Sequence, residues 1–159
     1  MIRFRGLAAL LPFAALCQSP AISVSATPDG AALVTLANGE KTTVPKEPDQ
    51  AGIDEPRVAP DGTAGWLVQY NVEGVSYPIA GKLVIWRGGK VRRFPTEQSF
   101  YSWAFYAGGK QVAFHVGPLH AEQKSHCELH DAASGRLIAQ WDGDLESENR
   151  PAWTKGLDH

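Results

Sequence analysis

A chain of 159 residues with 43% hydrophobic and 20% charged positions has the size and composition of one soluble domain. Five Trp, six Phe and four Tyr supply core material that disordered chains lack, and two Cys exclude a disulfide-built miniprotein. A net charge of −2 and a pI near 6.2 argue against nucleic acid as a partner.

The first segment reads as an export leader. Arg3 and Arg5 precede a twelve-residue apolar run, Gly6 to Cys17, and a small-residue tail to Ala26. Basic, apolar and small-residue regions in that order make a secretory signal peptide. The run is shorter than the roughly 20 residues that span a bilayer. Val24 and Ala26 place the cut after Ala26. Cys17 is not read as a lipoprotein anchor, because bulky Leu16 stands where a small residue is needed. Residues 27–159 then form a periplasmic or extracellular domain without a membrane span. Loss of Arg3 and Arg5 takes its charge from −2 to −4. Cys127 is left as a lone thiol, and the alternation around it predicts burial.

The rest of the chain shows almost no helical period. Short alternating runs predict strands at 32–36, 41–44, 65–71, 82–86, 91–94, 101–106, 111–116, 126–130 and 137–141. Asn38-Gly39, Gly88-Gly89 and Gly108-Gly109 supply the positive φ of tight hairpins. The pattern is all-β and antiparallel. It also repeats: Trp66–Tyr70 corresponds to Gln111–His115, and Leu83 with its hairpin to Leu129 with its own, some 45 positions on. Such a period with four strands per unit is that of propeller blades. The units run over 27–55 (partial), 56–98 and 99–143, with a terminal segment 144–159.

Val58-Ala-Pro-Asp-Gly62 followed by Trp66-Leu-Val-Gln-Tyr70 resembles the S-P-D-G-x-x-I-A-F hairpin of bacterial TolB-like and WD-repeat-like β-propellers. Phe105–Phe114 is a degenerate second copy, and Thr27-Pro-Asp-Gly30 with Leu33-Val34 a truncated third. Leu129-His-Asp131 resembles the Trp-Asp hairpin of such blades, with His130 in the Trp place. The resemblance implies four-stranded blades and no particular activity. About three blades are too few for a ring of 4–8. The expected architecture is an incomplete propeller or a two-sheet arrangement, with the alternative that two chains complete a six-bladed ring. Trp153, in the terminal segment, is the expected contact with another chain.

Motifs for nucleophilic, phosphate-binding or zinc-protease chemistry are missing from the sequence. Its distinctive feature is four histidines within sixteen residues: His115, His120, His126 and His130. If strands 111–116 and 126–130 pair with Val112, Phe114 and Val116 on the face of Cys127 and Leu129, His115 sits opposite His130 beside Glu128. Two imidazoles and a carboxylate suit zinc or copper. The competing expectation is packed, hydrogen-bonded histidines and no cofactor. His126 and His130, about 13 Å apart along an extended strand, cannot share one metal.

The expected function is an exported, non-catalytic binding or protein-interaction module. The alternatives are a metal-dependent hydrolase using His115, Glu128 and His130, and a degenerate remnant without activity of its own. Strand alternation puts the short Gly turns at one edge of the blades and the longer connections at the other. Binding is expected at the long-connection edge, where Tyr77, His120, Glu122 and Lys124 combine an aromatic ring, a titratable ring and both charge signs.

Overall fold

The computed structural model describes residues 18–118 and 125–157. Strands β1 (Ala21–Ala26), β2 (Ala32–Leu36) and β3 (Lys41–Val44) form a first antiparallel sheet. A middle sheet holds β4 (Gln50–Val58), β5 (Ala64–Tyr70), β6 (Ile79–Arg87) and β7 (Lys90–Pro95), side by side in chain order. The third holds β8 (Ser99–Tyr106), β9 (Gln111–Gly117), β10 (Ser125–Asp131) and β11 (Leu137–Gly143). The protein is all-β, an open set of meander sheets consistent with an incomplete propeller. No helix among the described residues is long and apolar enough to cross a membrane.

The sheets stack because the middle one is apolar on both faces. Trp66, Val68, Val84 and Trp86 of β5 and β6 meet Val34, Leu36 and Val44 of the first sheet, with Ala21 of β1 in the same cluster. On the other face Leu67, Leu83, Ile85 and Phe94 meet Phe100, Trp103, Val112, Phe114 and Val116 of the third sheet. Such an alternation buries two apolar sets from one strand pair. The far face of the third sheet carries Ala113, Cys127 and Leu129. It is covered by Leu145, Trp153 and Leu157 from the chain's own terminal segment, whose last part is the 3-10 stretch Ala152–Leu157. Trp153 therefore packs within its own chain, where the sequence suggested contact with another.

The two edges of the stack differ as expected. Ala21 N–H donates to Gly62 O at 3.2 Å and Ala37 N–H to Pro20 O at 2.9 Å, so the turns at 37–40 and 59–63 share one edge. Gly109 lies against Ala59 and Asp61 at that same edge. The connections at 71–78, 96–98 and 144–151 follow the opposite strand ends. The Thr27–Gly30 turn joins β1 to β2, at the edge opposite Pro60-Asp-Gly62, so the two Pro-Asp-Gly turns are not equivalent places in a blade.

Glu47 fastens the long-connection edge. From the link between β3 and β4 its carboxylate accepts from Tyr70 Oη at 3.1 Å, from Arg93 Nε at 2.6 Å and from Lys82 Nζ. Burial alone would raise its pKa, but these donors hold it below the ordinary carboxylate value. One acid thus ties three strands of the middle sheet.

Two elements lie where the sequence pattern gave no strand. β4 lies between the strands expected at 41–44 and 65–71, and β1 is made of residues assigned to the leader. Residues 1–17 lie outside the described residues.

Candidate functional site

His115 falls on β9 and His126 and His130 on β10, and the pairing of these strands decides what they can do. The register places His115 opposite Cys127, Phe114 opposite Glu128 and Val112 opposite His130. Val112, Phe114 and Val116 therefore share a face with His126, Glu128 and His130, and His115 lies on the other. This shifts the expected pairing by three residues, His115 facing Cys127 in place of His130, and an odd shift in a strand reverses every side chain. His115 cannot join Glu128 and His130 around one ion. Among the described residues no three His, Cys, Asp or Glu side chains are arranged to hold a metal.

His126, Glu128, His130 and Asp142 form a continuous row on the face toward the middle sheet. His126 Nδ1 lies 2.6 Å from Asp142 Oδ1 and its Nε2 lies 3.0 Å from Glu128 Oε1. Glu128 Oε2 lies 2.6 Å from His130 Nε2, and His130 Nδ1 lies 3.0 Å from Gly135 O. Phe114 stacks on His130, and Phe94 meets the same ring edge-on. Hydrogen bonds to Asp142 and then Glu128 raise the pKa of His126. Burial would depress that of His130, but its bonds to Glu128 and Gly135 O raise it overall. His130, with Glu128 held low between the two rings, belongs to the wall of the sheet–sheet junction. The row uses its polar atoms internally.

The far face of the third sheet holds a different feature. A cleft of about 500 Å³ opens between the start of β8, the end of β9 and the terminal segment, lined by Tyr101, Ser102, His115, Leu145, Glu146, Arg150 and Leu157. Tyr101 packs its ring 5.0 Å from that of His115 and donates its hydroxyl to Pro118 O. Burial, and then the charge of His126, hold His115 below its ordinary 6.5, so the ring is neutral at pH 7. Ser102 is 1% exposed and donates to Leu157 O at 2.8 Å. Cys127 is buried behind the same face, and burial pushes its thiol up to about 11. Neither is placed as a nucleophile.

Of the residues expected to bind, Tyr77 is 54% exposed on the 71–78 connection, away from this cleft. His120, Glu122 and Lys124 lie outside the described residues, in the link from β9 to β10. The sequence reading missed Tyr101, Glu146 and Arg150. Tyr101 was hidden as an ordinary strand aromatic. Glu146 and Arg150 sit in the terminal segment, outside the expected strands, and only the fold lays that segment across the third sheet. Comparisons with protein-family models, with curated proteins and with solved structures found no match.

Proposed function

We propose that this is an exported, non-catalytic binding module that takes a polypeptide partner at the long-connection edge, in the cleft beside Tyr101 and His115. The observation that carries the reading is the lining of that cleft. An exposed phenol, a neutral imidazole, a carboxylate and a guanidinium surround about 500 Å³, while the Ser102 hydroxyl and the Cys127 thiol are buried. A site rich in aromatic and hydrogen-bonding groups, with no poised nucleophile among the described residues, suits recognition. The place outside the cytoplasm is inferred from the Arg3–Cys17 pattern.

The test is selection of binders from a displayed random-peptide library on the full chain, repeated with the Tyr101→Ala/His115→Gln double variant. Selected peptides should lose at least tenfold in affinity on the variant, with the fold unchanged by circular dichroism. Peptides that bind both proteins equally, and fail instead on Arg92→Ala at the short-turn edge, would refute the reading.

A further inference from the structure

The leader reading and the fold make competing claims on residues 18–26. β1 pairs with β2 along Ser23–Ala26, and Ala21 is 4% exposed in the core between the first and middle sheets. Pro20 accepts a hydrogen bond from Ala37 N–H and lies so close to Gly62 that no side chain fits there. Gln18 occupies the space beside Gly89. A cut after Ala26 would remove all of these contacts. It would also reduce the first sheet to the β2–β3 hairpin, and a two-stranded sheet is marginal in water.

We propose that the leader is removed at the Cys17–Gln18 peptide bond, so that β1 remains in the mature protein. This rests on the reading of the chain as exported. Leader removal needs small residues at the last and third-last leader positions. Upstream of β1, Ala15-Leu16-Cys17 meets that requirement. Cys17-Gln18-Ser19 also does, but the bond after Ser19 is a prolyl bond, and the carbonyl of Pro20 is already engaged by Ala37. The step is hydrolysis. Water adds across one amide, the carbon–nitrogen bond breaks, Cys17 keeps the carboxylate and Gln18 gains the amine. Gln18 is exposed, so its new ammonium stays in water.

The experiment expresses the full chain in a diderm bacterial host and reads the envelope fraction by intact mass and terminal sequencing. The expected chain begins at Gln18, with a free amine or as the cyclised form that has lost ammonia. Cys17→Tyr should accumulate uncut precursor. Ala26→Tyr, at an exposed position, should be processed as the parent is. A mature chain beginning at Thr27, one beginning at an acylated Cys17, or a block by Ala26→Tyr would each overturn the assignment and leave export standing. Recovery of the whole chain from the cytoplasm with Met1 or Ile2 at its end would overturn the export reading and the cut together.

Discussion

His130 Nε2 lies 2.6 Å from Glu128 Oε2, and this contact fixes the charge of the ring. The other nitrogen of His130 faces Gly135 O, so both meet acceptors. A neutral imidazole has one N–H and leaves one acceptor without a proton; the imidazolium satisfies both. His126, between Asp142 and Glu128, is in the same position.

The consequence is a pH profile of stability. His126 and His130 have folded pKa values above 6.5, so their contribution is complete below 6.5 and fades as pH rises through the raised values. Glu128 is lowered from 4.5, so its contribution is complete above that value and is lost as pH falls through the lowered one. His115, lowered from 6.5, opposes the pair by costing stability as pH falls through its unfolded value. Thermal melts should show His126→Gln/His130→Gln flattening the decline as pH rises above 6.5. His115→Gln should leave that decline unchanged and relieve a loss of stability below pH 6.5. Identical pH profiles in all three proteins would mean that none of these rings titrates differently in the fold and in the unfolded chain.

Glu47→Gln should cost about 1–2 kcal/mol, since it weakens charge-assisted bonds from Lys82 and Arg93 that are partly screened by solvent. The loss should appear as a lower urea midpoint at unchanged slope. Because Glu47 is held below its ordinary value, the difference between parent and variant should narrow as pH drops through that range. A midpoint unmoved at pH 7 would deny Glu47 its tying role.

Gly39 and Gly62 have nearly the same φ, +85° and +78°, in very different surroundings. A Cβ at Gly39 meets nothing within 4 Å, whereas one at Gly62 runs into Pro20. Gly39→Ala should cost about 1 kcal/mol from backbone conformation alone. Gly62→Ala adds the overlap and should cost about 2–4 kcal/mol. Equal losses in chemical denaturation would show that Pro20 does not pack where described.

Trp153→Ala should destabilise by about 2–3 kcal/mol, below the cost for a fully buried Trp because this one is partly exposed. Removing the ring opens apolar surface around Leu129 and Leu157. Light scattering should show the variant associating at concentrations where the parent does not. A variant with unchanged melting and unchanged mass would mean that the terminal segment does not cover the third sheet.

Much of this fold is written locally. β2 and β3 begin and end where alternation and Asn38-Gly39 place them, and the Gly88-Gly89 turn marks the end of β6. β4 is obscured because Gly52, Asp54, Glu55 and Pro56 break its apolar pattern, and its pairing shifts register twice. β1 is obscured by resemblance to the tail of a leader. The pairing of β9 with β10 failed for a different reason. Val112, Ala113 and Phe114 are all buried, so alternation gives β9 no inner or outer face. The 118–124 link, unlike a two-residue turn, sets no register either. The cleft beside His115 was hidden for a further reason: four of its seven lining residues come from 145–157, a segment whose docking on the third sheet no local pattern announces.

The position of the middle sheet has a consequence for how the molecule breathes. Opening β5 or β6 exposes both apolar clusters at once, whereas releasing β1 or β3 exposes only one. Amide protons of Leu67, Val68 and Val84 should therefore exchange with deuterium through near-global unfolding. Those of the first sheet should exchange through a smaller, earlier opening. Proteolytic nicking, which follows such openings, should begin at the β1–β3 end and leave the two four-stranded sheets as the last protected body.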